Sequence, residues 1–173
     1  TLELSDVKLV TPQGGRMHLV ELGVSQQLIS LLFGNWTTVW QVGEIRLDPA
    51  SWGIRRALAK EILSAEPVAT GGSAVVQMES GGVTLKELNL TGPLLQIEAE
   101  GWLTRKQQAH LDLEGSVSEK ILRGFNLVKA SENQAKPWEP FQFNLDGILP
   151  RPTVSFASQF FSISLKSQEK QSS

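Results

Sequence analysis

The chain contains no cysteine. Disulfides, zinc–thiolate sites and cysteine nucleophiles are therefore excluded. That absence leaves the compartment open, because periplasmic and cytosolic proteins can equally lack cysteine. Histidine is scarce, with only His18 and His110, far apart in sequence. No lysine- or arginine-rich run occurs, and the formal charge is -2 with a pI of about 5.7. Nothing here could neutralise many phosphates, so nucleic acid is not an expected partner. No apolar run approaches the roughly 20 residues that a membrane-spanning helix needs. No signal peptide is visible, and the chain opens on Thr1 directly into a strand pattern. The expectation is an excised or processed fragment whose anchor or export signal lies upstream.

What is present suits a globular fold. The 173 residues are 40% hydrophobic and 20% charged, which is enough apolar material for one core. Leu2, Leu4, Val7 and Leu9 alternate with polar residues, with one extra residue at Ser5-Asp6 that reads as a β-bulge. Thr11 to Gly15 is a turn, and Met17, Leu19 and Leu22 mark the return strand. Gln26 to Phe33 is a short apolar run that Gly34-Asn35 ends as a helix would end. Trp36 to Leu47 reads as one long strand. Asp48-Pro49 then opens a helix carrying Trp52, Ile54, Leu58 and Ile62, with Arg55, Arg56 and Lys60 towards solvent. Val68 to Ser73 is loop-like, and Ala74 to Gly115 reads as an antiparallel meander of four strands. Ser116 to Val128 reads as a helix capped by Ser118, and Lys129 to Pro140 as a loop. Phe141 to Gly147 is a strand, broken at Pro150-Arg151-Pro152 and continued by Val154 and Phe156.

The fold class expected is mainly β, a curved antiparallel amphipathic sheet covered by two to three short helices. Residues 1–165 form one domain in this reading, and 166–173 a disordered tail. The pattern Leu2-x-Leu4-x-x-Val7-x-Leu9 recurs as Val83-x-Leu85-x-x-Leu88-x-Leu90. This suggests two repeats, about 2–66 and 74–128, with a closing segment at 140–165. Units with one apolar face cannot bury it alone and stack into an extended sheet.

Three stretches carry a resemblance. Gly82 to Gly92 (GVTLKELNLTG) resembles a strand that recurs in the AsmA-like superfamily of bacterial envelope proteins, a group that includes the type II secretion system protein N family. Ile97-Glu98-Ala99-Glu100-Gly101 is similar to the strand that follows it there, and Pro140 to Val154 looks like the family's closing segment. The resemblance does not extend to Trp36 to Glu66. It implies a C-terminal fragment or compact member, facing the periplasm, with the full-length protein anchored in the inner membrane. It also implies a non-enzymatic role in lipid handling and outer-membrane assembly. The partner would be a lipid or acyl chain held on an apolar sheet face, for which Val83, Leu85, Leu88, Leu90, Leu95 and Ile97 are the candidate residues. The alternative is a type II secretion component or scaffold that binds envelope or secretion proteins through sheet edges.

No catalytic set stands against this. Neither histidine has a triad or metal-binding companion in sequence, and each is read as a surface residue. Glu98 and Glu100 share a strand face opposite Ile97 and Ala99, where exposure to solvent explains both. The pairs Gly14-Gly15, Gly71-Gly72 and Gly81-Gly82 fit turns rather than phosphate cradles. No cofactor or metal is expected. The five tryptophans, Trp36, Trp40, Trp52, Trp102 and Trp138, invite a membrane-interface or ligand-stacking reading, against which core and helix-to-sheet packing is the favoured one.

Overall fold

The computed structural model describes residues 1–26, 36–127, 138–158 and 162–165. The Gln26 to Phe33 helix, the Lys129 to Lys136 part of the loop, Phe160-Phe161 and the 166–173 tail, all expected from sequence, lie essentially outside these residues. Among them, strands β1 (Leu2–Val10), β2 (Arg16–Gln26), β3 (Trp36–Val42) and β4 (Ile45–Leu47) precede helix α1 (Ala57–Ala65). Strands β5 (Gly71–Glu79), β6 (Gly82–Thr91), β7 (Leu95–Thr104) and β8 (Gln108–Ser118) lead to helix α2 (Glu119–Gly124). Strands β9 (Trp138–Ile148), β10 (Thr153–Ser158) and β11 (Ser162–Leu165) follow. All the strands belong to one curved, unclosed antiparallel sheet in the order β1-β2-β3-β5-β6-β7-β8-β9-β10-β11, with β4 also paired to β2.

Period-2 alternation produces this sheet, and the registers align the apolar positions in rows. One row runs Val76–Leu85–Gly101–Leu111–Leu145–Val154. The next runs Trp40–Ala74–Leu88–Ala99–Leu113–Phe143–Phe156. Large side chains thus lie beside small ones. A Cβ added at Gly101 would come within 2.4 Å of the His110 carbonyl oxygen, and one at Gly115 within 2.7 Å of the Phe141 ring. These two glycines leave no room for a side chain beside their neighbours; the face that carries the apolar rows is termed the inner face and the polar one the outer face.

The two copies of the repeated strand solve their extra residue differently. In β6 it is a true bulge: Leu85 pairs with Gly101 but Leu88 pairs with Ala99, so Lys86 and Glu87 are absorbed in one step. In β1 the register does not slip, since Ser5 faces Glu21 and Val7 faces Leu19. Asp6 instead takes a left-handed φ of 57°, which an aspartate tolerates. The irregularity continues across β2, where the expected long strand Trp36 to Leu47 breaks into β3 and β4 at Gly43-Glu44. Val20 N–H donates to the Glu44 carbonyl and Gly43 N–H to that of Glu21, each at 2.9 Å.

The first helix begins later than Asp48-Pro49 suggested. The Asp48 carboxylate accepts from the Ala50 amide at 3.1 Å, an Asx turn that competes with capping. Ser51 Oγ accepts from Arg16 N–H, and the Trp52 indole N–H donates to the Arg16 carbonyl, both at 2.8 Å. The segment is strapped to β2, and α1 starts only at Ala57. The second helix is likewise shorter than Ser116 to Val128. Residues Gly115 to Ser118 stay paired to β9, and Ser118 then caps α2 by accepting from the Lys120 amide. The β9 strand reaches back to Trp138, so Pro140, expected in the loop, lies within it. There β9 has lost its β10 neighbour, because that pairing ends at Phe141–Ser158. Gly71 to Ser73 open β5 rather than a loop.

Helices α1 and α2 sit together at one end of the sheet. Ile62, Leu63, Leu94 and Ile121 form the buried cluster there, with Leu47, Ile54, Val68, Val117 and Phe125 against it. Gly124 lets the helices touch, since a Cβ on it would lie 3.0 Å from Ala59 Cα. No helix among the described residues is long and apolar enough to cross a membrane. Stability should therefore be concentrated at this end. Leu94→Ala, at a site 2% exposed, is expected to cost about 2–5 kcal/mol in urea unfolding. Leu103→Ala, 41% exposed at the other end, is expected to cost less than about 1 kcal/mol. Equal losses would show that the two ends are packed alike.

Candidate functional site

The six candidate residues come together. Val83, Leu85, Leu88 and Leu90 lie on β6, and Leu95 and Ile97 on the adjacent β7. The bulge at Lys86-Glu87 keeps Leu85 and Leu88 on the same face. Cross-strand pairing places Leu90 against Ile97 on that face. Val83 is exposed, and the other five are half-buried. The inner face continues beyond them through Leu111, Leu113, Phe143 and Leu145 to Val154 and Phe156, and on the other side through Val76, Trp40 and Val42. Phe141 and Phe156 stack with ring centres 5.7 Å apart. These residues alternate as visibly as the six, but only strand pairing shows that they extend one face.

Away from the helices this face has no second layer among the described residues. No large side chain in the described chain is fully buried, and Leu2, Leu4, Trp36, Met78, Val83 and Leu103 are exposed. A trough of about 270 Å³ lies along Val83, Leu85, Leu103, Ala109 and Leu145. Among the described residues this face is therefore only partly packed.

The outer face is polar and acidic. Glu98 and Glu100 lie on it, as their alternation indicated, beside Glu87, Asp112 and Glu114. Among the described residues no group of acidic and histidine side chains is arranged to hold a metal. The two histidines are half-exposed. His18 pairs with Asp6 across β1 and β2. His110 does more than alternation suggested. Its Nδ1 is 3.1 Å from Asp146 and its Nε2 2.9 Å from Asp112, while Trp102 stacks on the ring at 5.8 Å. Asn144 donates to the other oxygen of Asp112. This clasp joins β7, β8 and β9, and only the register reveals it.

The tryptophans divide. Trp40 is half-buried on the inner face, with its indole N–H donated to Thr38 Oγ1 at 3.0 Å. Trp138 is half-buried at the start of β9, Trp52 straps the turn before α1, and Trp36 and Trp102 are exposed. Core or helix-to-sheet packing thus does not hold for Trp36, Trp52 and Trp102, which are 49%, 42% and 41% exposed; Trp36 and Trp102 stand at the end of the sheet away from the helices.

The hydrogen bonds from Asp146 and then Asp112 hold the His110 pKa above the ordinary 6.5, against a smaller opposing effect of desolvation. The Asn144 hydrogen bond, followed by His110, holds the Asp112 carboxyl below its usual range. A raised imidazole pKa stabilises the fold fully below about pH 6.5, and that contribution is lost as pH rises through the folded value. The lowered Asp112 works in the opposite sense and loses its contribution only as pH falls through its own depressed folded value. In an NMR titration His110 should titrate above a free imidazole, and Asp146→Asn should move its midpoint down. A midpoint unmoved by that substitution would show the clasp absent in solution. No protein-family model matches the chain, and no curated protein or solved structure matches it either.

Proposed function

We propose that the protein is a non-enzymatic envelope-biogenesis module that holds lipid acyl chains on the inner face of its sheet. In this reading it works on the periplasmic side of the inner membrane, as the AsmA-like resemblance implies. One observation carries the proposal: a continuous apolar face spans the sheet, yet among the described residues helices cover it at one end only. From Leu95 to Leu103 the face is about 25 Å long at the rise of a strand. That exceeds the ~15 Å hydrocarbon thickness of one leaflet, so an acyl chain can lie along the strands. Each methylene buried there stabilises the complex by about 0.8 kcal/mol. The half-buried state of Leu85, Leu88, Leu90 and Ile97 suits this, because a lipid chain completes packing that the protein leaves unfinished.

The open edges favour a second reading. Strand β1 pairs only with β2, and β11 only with β10, among the described residues. Either edge can accept a strand from an envelope or secretion protein.

The delipidated protein should take up a fluorescent fatty acid with saturable binding. Leu85→Gln with Leu88→Gln should weaken uptake at least about tenfold, since two apolar contacts of roughly 1 kcal/mol each are lost. A folded protein that takes up no acyl chain, but crosslinks to envelope proteins through β1 or β11, would replace the first reading with the second.

A further inference from the structure

The end of the sheet away from α1 and α2 differs from the rest of the surface. It is formed by the β5–β6, β7–β8 and β9–β10 turns and by the start of β3. On the inner face the last row is Trp36, Met78, Val83 and Leu103, exposed by 49%, 44%, 39% and 41%. On the outer face this end carries Trp102, 41% exposed, and Ile148, 60% exposed, with Thr84, His110 and Asp146 in the Trp102 row.

The turns add mainly positive charge. Arg105, Lys106 and Arg151 are all exposed, and none forms an ion pair among the described residues. Glu79 is the one acidic residue in 79–82, 104–108 and 148–153.

We propose that this turn end is a membrane-docking rim, which seats the tip of the sheet in the interfacial layer of an anionic leaflet. Exposed tryptophan beside aliphatic residues suits the boundary between headgroups and hydrocarbon. The cations meet the negative surface of the leaflet. The depth agrees as well. Asp146 lies in the Trp102 row, with its side chain 72% exposed, and Glu100 is the next outer-face residue above Trp102, about 7 Å along the strand, so the carboxylates hold the outer face at the shallow end of the about 5–10 Å that interfacial elements sink. The inner face then opens directly onto lipid chains. The inference rests on the lipid-holding reading for what happens after docking, and docking is measured separately from holding.

The lack of cysteine permits clean single-site labelling. Ile148→Cys at the rim and Leu58→Cys on α1 each receive an environment-sensitive fluorophore. Leu58 is 51% exposed beside Arg55, Arg56 and Lys60, so α1 is the rival docking surface. The protein is floated with phosphatidylcholine vesicles, with and without phosphatidylglycerol. Expected are binding that depends on phosphatidylglycerol, a blue shift at position 148 and none at 58. Arg105→Gln with Lys106→Gln, both in an exposed turn, should keep the wild-type thermal midpoint and lose about 25-fold in vesicle affinity, some fivefold for each cation. Absence of vesicle binding, equal binding to phosphatidylcholine, a shift at 58 alone, or full affinity in the double variant overturns the proposal. So does a protein partner captured by the rim when vesicles are not. Uptake of micellar fatty acid separates the two readings. If the double variant keeps uptake while losing vesicles, docking is supported. Vesicle binding without uptake leaves docking standing and removes lipid holding.

Discussion

Everything in this structure depends on antiparallel pairing that keeps apolar positions in register from strand to strand. A one-residue slip in any strand would turn its leucines to the outer face and break the rows. The β6 bulge shows how tightly this holds. Leu85 and Leu88, three residues apart, would face opposite ways on a regular strand, and the two-for-one step at Lys86-Glu87 returns both to the inner face.

The same pairing sets small residues beside large ones. Gly101 stands between Leu85 and Leu111, Ala99 between Leu88 and Leu113, and Gly115 between Ile97 and Phe141. Small residues in β7 and β8 make room for the large ones that flank them on the apolar face. The helices complete this arrangement at one end alone. There Leu94 and Ile121 are shut away from water, and the touching backbones at Gly124 and Ala59 close the gap.

An acidic outer face, an apolar inner face and a basic, tryptophan-bearing rim give the molecule three chemically distinct surfaces. The His110 clasp lies on the outer face near the rim, so β7, β8 and β9 are tied together where the turns project. The proposed lipid holding and the proposed docking share Val83 and Leu103, but Leu85 and Leu88 belong only to the first and Arg105 and Lys106 only to the second, so substitutions there can separate them.

Alternation made the strands, the four-strand meander and the shared face of the six candidate residues legible in the sequence, because period 2 depends only on local order. Ser118 was legible as a cap for the same reason. The start of α1 was not, because the ties from Ser51 and Trp52 to Arg16 come from a strand distant in sequence. Nor were the break at Gly43-Glu44 and the unslipped Asp6, which depend on what β2 does between them. The sequence by itself determined that one face would be apolar and roughly which residues would line it. Only the tertiary structure decided how far that face extends, that among the described residues it is covered at one end alone, and that Trp36, Trp102, Ile148 and three cations all fall at the other end of the sheet. Those properties arise from pairing between distant segments, which no local pattern encodes.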